Sequence, residues 1–326
     1  MTQSRILVLA TGGTIAGTGG SPTARDYRPG QIAIEAFLEQ MGEMALDVQL
    51  TGRQIAAIGS ENMGQDVWNR LHRETVSGMA DPACDGIVIT HGTDTVEETA
   101  LLLDETLPST KPVVLVGAMR AADAVGSDGL RNFTNAVRVA GHPEAAGRGV
   151  LVGMGDRIFA ARDVRKAATR GIEAFRGFPR DAVGMVTPHS LDWFGAPWRT
   201  GEDARRRWHD ALPDVALVYI HAGIGADAVA RQLSADPAGI VVAGVGEGNM
   251  PDAVRTLLAE RAKGGTVVVR ASRADEGLVD REGEDEANRF VAARALNPQK
   301  AVMLVKLLIA DGIRDPAQVQ AEFDRR

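Results

Sequence analysis

Arg5-Ile6-Leu7-Val8-Leu9-Ala10-Thr11-Gly12-Gly13-Thr14-Ile15-Ala16-Gly17 sets the frame for the whole chain. Residues 5–10 form a short run, apolar on both faces, that stops in a glycine-rich turn. A strand needs that composition when helices cover both sides of its sheet. The pattern recurs at Gly86–Thr90, Pro112–Gly117, Gly149–Met154, Val215–Ile220, Gly239–Gly244 and Thr266–Arg270. Between these runs lie helical stretches at Gln65–Ser77, Val96–Glu105, Leu130–Ala140, Asp252–Ala262 and Pro298–Ala310, each of a size that carries a crossover between parallel strands. The fold class is therefore α/β.

From Leu191 to Pro213 the pattern gives way to a polar stretch rich in Trp, Arg, Pro and Asp, without sustained period. Two domains are expected: a larger Rossmann-like N-terminal α/β domain over 1–190 with a mixed or parallel sheet, a linker over 191–213, and a smaller C-terminal α/β domain over 214–326. With 326 residues and 44% hydrophobic composition the chain can bury a sizeable core. A net charge of -7 supplies no field to draw nucleic acid or an anionic membrane, so neither is an expected partner. No apolar run reaches the roughly 18 residues of a spanning helix. The opening MTQSRILVLATGG has one basic residue and an apolar run too short for a signal peptide, and Cys84 is the single cysteine. A cytoplasmic protein is expected, with a processed periplasmic form as the alternative.

Several motifs could carry chemistry. The turn Thr11–Gly17 stands at the carboxyl end of the first strand, where open α/β sheets bind ligands. It fits neither the dinucleotide fingerprint nor the phosphate-loop pattern, because Thr14 occupies the third place counted from Gly12 and no Lys-Ser or Lys-Thr follows. Its bland reading is a tight turn whose glycines only satisfy the backbone. In His91-Gly92-Thr93-Asp94-Thr95, Thr95 with Glu98 reads as a capping box, so a helix begins at about Val96. Taken alone, Thr93 and Asp94 read as turn and cap residues. Gly59-Ser60-Glu61-Asn62 reads as a polar loop, Arg162-Asp163-Val164-Arg165-Lys166 as a solvated basic surface, and Gly244–Asn249 as another strand-end loop. The six histidines show no His-Glu-x-x-His arrangement, one cysteine cannot build a thiolate zinc site, and no Gly-x-Ser-x-Gly elbow occurs. No metal and no organic cofactor are expected.

Taken together and in order, Thr11–Gly17, His91–Thr95, Gly117-Ala118-Met119-Arg120 and Leu296-Asn297-Pro298-Gln299-Lys300-Ala301 resemble the bacterial L-asparaginase family over the whole chain, and its type II branch in particular. The resemblance implies L-asparagine amidohydrolase activity, with L-glutamine as a further substrate in the broader glutaminase-asparaginases. It implies Thr14 as nucleophile, Tyr27 as its activating partner on a mobile lid, and Thr93, Asp94 and Lys166 as a second triad; Thr18–Thr23, between Thr14 and Tyr27, has the composition of a hinge for such a lid. Ser60, Glu61, Asn249 and Glu282 would complete the pocket with Thr93 and Asp94, Glu284 being the alternative acid. It also implies a homotetramer of dimers with shared active sites.

The assignment is chemically coherent. An internal threonine hydroxyl needs a neighbour to take its proton before it can attack an amide carbonyl. A phenol is a weak base at neutral pH, so a nearby cation or hydrogen-bonded carboxylate has to assist it, the role expected of the surroundings of Glu282. Asp94 offers a carboxylate to an α-ammonium, Ser60 and helix-terminal amides suit an α-carboxylate, and backbone donors at the glycine-rich turn would serve the oxyanion. Three other readings compete: the amidase subunit of a tRNA-dependent amidotransferase, a nicotinamide-dependent oxidoreductase, and an amino-acid-binding protein without catalysis. The acidic balance argues against the first, and both glycine-rich loops fail the fingerprint of the second. Turnover would separate the third.

Overall fold

The computed structural model describes residues 3–21, 23, 27–42, 48–187, 189–199 and 203–325. Met1 and Thr2 of the opening stretch, Pro22 of the expected hinge and residues 200–202 of the expected linker lie outside them. The chain forms two compact units, Met1–Asp210 and Ala211–Arg326.

In the N-terminal unit the strands are β1 (Ser4–Gly12), β2 (Val48–Ile58), β3 (Gly86–Thr90), β4 (Val113–Val116), β5 (Val150–Met154), β6 (Arg157–Ala160), β7 (Val164–Lys166), β8 (Phe175–Gly177), β9 (Gly184–Val186) and β10 (Leu191–Trp193). Its helices are α1 (Ile34–Gly42), α2 (Gln65–Ala80), α3 (Val96–Thr106) and α4 (Gly129–Ala140). Eight strands make one mixed sheet in the order β10-β9-β6-β5-β4-β3-β1-β2, while β7 and β8 pair separately. Strands β2, β1, β3, β4 and β5 run parallel, and β6, β9 and β10 extend the sheet antiparallel. Leu191–Trp193, inside the expected linker, thus adds an edge strand instead.

Alternation along β1 explains why both faces had to be apolar. Ile6, Val8 and Ala10 pack with Val88, Val116, Phe37 and Phe133 on one side, the two phenyl rings meeting edge-on at 4.9 Å. Leu7 and Leu9 pack with Ile87, Ile89, Leu71 and Leu103 on the other. The order β2-β1-β3-β4-β5 places the topological switch between β1 and β3, so a crevice opens beyond the carboxyl ends of those two strands. Both glycine-rich motifs of this unit leave from those ends.

The C-terminal unit holds the parallel sheet β11-β12-β13-β14, formed by β11 (Val215–Tyr219), β12 (Gly239–Gly244), β13 (Val267–Ser272) and β14 (Phe290–Ala292). Its helices are α5 (Ala226–Gln232), α6 (Asp252–Lys263), α7 (Gly283–Asn288), α8 (Pro298–Ala310) and α9 (Pro316–Asp324). Pro298 opens α8 and the Asn297 side chain accepts from the Lys300 amide, which is why Asn-Pro stands where that helix starts. Among the described residues no helix is long and apolar enough to cross a membrane.

Candidate active site

Thr14 owes its position to two glycines. Gly12 and Gly13 have φ of +104° and +81°, where a side chain is strained, and space excludes one too. A Cβ on Gly12 would stand 2.5 Å from the Ile58 nitrogen, and one on Gly13 2.5 Å from the Gly92 nitrogen. The chain therefore threads between the end of β2 and the loop after β3, held by a Gly13 N–H bond to the Ile58 carbonyl at 2.8 Å. That bond occupies the Gly13 amide, so an oxyanion would need another donor. A single 3-10 turn, Thr14–Ala16, follows and buries Thr14 to 6% exposure. Its Oγ1 lies 2.7 Å from the Tyr27 Oη. Tyr27 comes within reach because Thr18 and Arg28 form an antiparallel bridge, with N–H bonds of 3.2 and 3.0 Å in the two directions.

The second motif is tied to the Ser60 loop. Helix α3 starts at Val96 as expected, but Thr95 does not cap it with its side chain. Its hydroxyl donates instead to the Ser60 carbonyl at 2.8 Å, a partner that the fold brings in from 35 residues away. The Asp94 amide donates to the Ser60 Oγ at 3.2 Å, which leaves the Ser60 proton to point elsewhere. Glu61 accepts from the Asn62 side chain at 3.2 Å.

Lys166 approaches from β7. Its Nζ donates to the Thr93 Oγ1 at 2.9 Å and pairs with the Asp94 carboxylate. A solvated basic surface is therefore the wrong description of 162–166. Asp163 and Arg165 are buried; Arg180 pairs with Asp163 at 2.7 Å, and Arg165 lies over the Phe178 ring. The short strand is pinned between elements that the local sequence does not reveal, and Lys166 turns its charge toward the β3 loop.

His91, not singled out from sequence, lies beneath this loop. Burial lowers its pKa to about 4, so the imidazole is neutral near pH 7. Its Nδ1 stands 2.7 Å from the Gly92 carbonyl, which only accepts, so Nδ1 carries the proton and Nε2 is the acceptor. Trp68 Nε1 donates to the Thr99 Oγ1 at 3.0 Å, and that hydroxyl in turn donates to His91 Nε2 at 2.9 Å. The chain of bonds fixes the Gly92 carbonyl next to Thr93. Glu98, one turn into α3, is pushed up to about 7 by burial and by Glu97.

The remaining candidates lie in the C-terminal unit. Asn249 closes a tight loop after β12 through paired backbone bonds with Val245, of 2.8 and 3.0 Å. Glu282 is the N-cap of α7 in a reciprocal capping box with Asp285, and it lies 3.4 Å from Arg270 Nη1 and 3.8 Å from Arg255 Nη1. Among the described residues Glu284 pairs with Arg255 alone, at 3.7 Å, with a largely exposed side chain. Glu282 thus has two arginine partners and a cap role, where Glu284 has one arginine. Among the described residues no group of three or more His, Cys, Asp and Glu could hold a metal ion.

Within the N-terminal unit the fold therefore assembles a buried hydroxyl against a phenol, and beside that loop a second hydroxyl against an ammonium. Residues 5–199 match the family described as Asparaginase, N-terminal, and residues 214–323 match the Glutaminase/Asparaginase C-terminal domain. The chain belongs to the asparaginase family. Its asparaginase relatives include L-asparaginase 2 of Escherichia coli, 40% identical over 98% of this chain and 92% of that protein. A protein of Haemophilus influenzae named "Probable L-asparaginase periplasmic" is 39% identical over the same shares. A solved structure described as a probable cytoplasmic L-asparaginase from Campylobacter jejuni superposes with a TM-score of 0.90 at 36% identity, covering 98% of this chain and 99% of that one. This asparaginase-family chain thus carries Thr14 with Tyr27, and Ser60, Thr93 and Asp94 with Lys166, as two hydrogen-bonded sets on adjoining loops.

Proposed function

We propose that the protein hydrolyses the side-chain amide of L-asparagine to L-aspartate and ammonia, with Thr14 as nucleophile and an acyl-threonine intermediate. The 2.7 Å contact between Thr14 Oγ1 and Tyr27 Oη carries this reading. Thr14 attacks the amide carbon, its proton passes to the Tyr27 oxygen, and the phenol proton moves to the departing nitrogen. The C–N bond breaks, ammonia leaves, and water hydrolyses the ester to regenerate Thr14.

The other residues are given the following roles. Lys166 occupies a lone pair of Thr93, so the Thr93 proton points outward to polarise the substrate or hold the hydrolytic water. Ser60, whose Oγ accepts from the Asp94 amide, has its own proton available for the α-carboxylate, and the Asp94 carboxylate takes the α-ammonium. Glu61, Asn249 and Glu282 are assigned to the substrate by the family resemblance. Two variants test these roles. Tyr27→Phe should lower kcat/KM by about ten- to a hundredfold and Lys166→Met by about a hundred- to a thousandfold, in steady-state ammonia release. A Tyr27→Phe protein within a few-fold of the parent would remove Tyr27 from the proton path, and an undiminished Lys166→Met would do the same for the second set.

A broad glutaminase-asparaginase is the second reading, favoured by the C-terminal family description that names both activities. The two substrates differ by one methylene, which a pocket discriminates by roughly 1–3 kcal/mol. The ratio of kcat/KM for L-asparagine and L-glutamine decides it. The proposed assembly is a homotetramer of dimers with shared active sites, which light scattering on a fully active monomer would overturn. A cytoplasmic location follows the Campylobacter jejuni relative, against the periplasmic one of Haemophilus influenzae, and fractionation of the source cells separates them.

A further inference from the structure

We propose that Asp123 is a positioning residue for the proton transfer at Thr14, acting through Tyr27; the inference rests on the amidohydrolase reading above. Asp123 belongs to the loop 118–128, which is stiffened from within. The Asp128 carboxylate accepts from the Met119 amide at 3.0 and 3.1 Å, from the Arg120 amide at 3.0 Å and from Asn132 Nδ2 at 2.9 Å. Arg120 Nη1 donates to the Gly126 carbonyl at 2.8 Å and closes the far side.

From this frame Asp123 reaches 104 residues back in sequence. Both its oxygens accept from the Gly19 amide at 3.0 Å, and Oδ2 also accepts from the Gly20 amide at 3.0 Å. Beside them the Ala122 amide donates to the Gly17 carbonyl at 2.9 Å. Gly20 has φ of +70°, and successive amides turned inward in this way make a cradle suited to a carboxylate. Bonds from neutral amides to an ionised acceptor are roughly twice as strong as neutral ones.

The chain from this clasp to the reacting atoms is short. Thr18 precedes the clasped Gly19 and is bridged to Arg28, and Arg28 follows Tyr27. The Tyr27 ring lies so close to Gly17 that a Cβ there would stand 3.0 Å from Cδ2. Tyr27 is 44% exposed, so its own packing does little to fix the ring. Its Oη stays on Thr14 while the strand pair 17–18 and 27–28 keeps its place; backbone bonds from Ala122 to Gly17, Gly30 to Gly13 and Ile32 to Ala16 hold the flanking chain, and Asp123 supplies the side-chain clasp next to the pair, on Gly19 and Gly20.

A double-mutant cycle distinguishes positioning from simple loop stability. In the parent, Asp123→Ala should lower kcat/KM for L-asparagine about tenfold, mostly through kcat, and in a Tyr27→Phe background by less than about twofold. Asp123→Asn, which keeps one carbonyl acceptor without the charge, should fall between and carries the cycle if the alanine variant fails to fold. Equal losses in both backgrounds, or a loss below about twofold in the parent, would overturn the inference. An inactive parent, or a Thr14→Ala protein as active as the parent, would instead overturn the functional reading on which it rests.

Discussion

Thr14→Ala will give a folded protein whose ammonia release from L-asparagine and L-glutamine falls by on the order of ten-thousandfold or more, since losing a nucleophile costs that much where one hydroxyl makes the covalent bond. Folding should survive the change. Thr14 is 6% exposed, and the deletion removes one γ-methyl, one hydroxyl and its bond to a half-exposed phenol, a loss of about 1–2 kcal/mol at most. Gly12, Gly13 and the Ile58 and Gly92 backbones that shape the loop stay in place. Thr14→Ser keeps the oxygen but loses the methyl that restricts χ1, so its rate should fall by only about ten- to a hundredfold. Activity of the purified parent on the two amides without added metal, set beside both variants, measures all of this. A Thr14→Ala protein retaining more than about one-hundredth of the parent rate would sink the nucleophile assignment.

What could be read from sequence follows from where each residue's partners lie. Strands β1, β3, β4, β5, β12 and β13 announce themselves because both of their faces are largely buried, so nearly every position is apolar, and β11 reads the same way because its exposed positions, Leu217 and Tyr219, are apolar too. Strand β2 escapes the same reading although it is longer than any of them. It is the sheet's edge, with Thr51, Gly52, Arg53 and Gln54 exposed, and its apolar positions follow no period. Strands β6 to β10 have three or four residues each, too few for a pattern. Helix α7 is six residues of Gly, acid, Ala and Asn, stabilised by its cap and by Arg270 rather than by an apolar stripe.

The site divides in the same way. Thr14, Tyr27, Thr93, Asp94, Lys166 and Ser60 were identified by resemblance, while local reasoning alone read Thr93 and Asp94 as turn residues and Lys166 as surface. Local rules see a few residues to either side, and Lys166 finds Thr93 across 73 positions. The capping-box reading of Thr95 failed for that reason, since its chosen acceptor is 35 residues away. His91 was legible as part of a motif, but its neutral state depends on burial and on Thr99 and Trp68, which only the fold supplies.

Arg270→Met should destabilise the protein by about 3–5 kcal/mol in equilibrium denaturation, the range expected when one partner of a buried ion pair is removed. Among the described residues Arg270 is the largest fully buried side chain, at 0% exposure in the middle of β13. Burial opposes its charge, but the bonds to Asp285 and the nearby Glu282 outweigh that and raise its pKa. Its five donors are all placed. Nε and Nη2 grip the two Asp285 oxygens at 2.7 Å each, Nη1 takes the Glu247 carbonyl at 2.8 Å and Glu282 Oε1 at 3.4 Å, and Nη2 also takes the Asp280 carbonyl at 3.0 Å. Methionine fills much of the volume but leaves the buried Asp285 carboxylate and two carbonyls facing an apolar chain. Arg270→Lys keeps a charge with three donors and cannot form the two-pronged pair, so an intermediate loss of about 1–3 kcal/mol is expected. The combined Arg270→Met and Asp285→Leu protein removes both charges and should recover much of the single variant's loss, because the penalty lies in the stranded carboxylate rather than in the missing attraction. A single variant within about 1 kcal/mol of the parent would show that Asp285 finds water or another partner when the guanidinium is gone. The same guanidinium joins the strand-end loop of Glu247 to the segment of Glu282, so the methionine variant should also raise KM for L-asparagine if Asn249 and Glu282 hold the substrate. A stability loss with unchanged KM would confine Arg270 to the core.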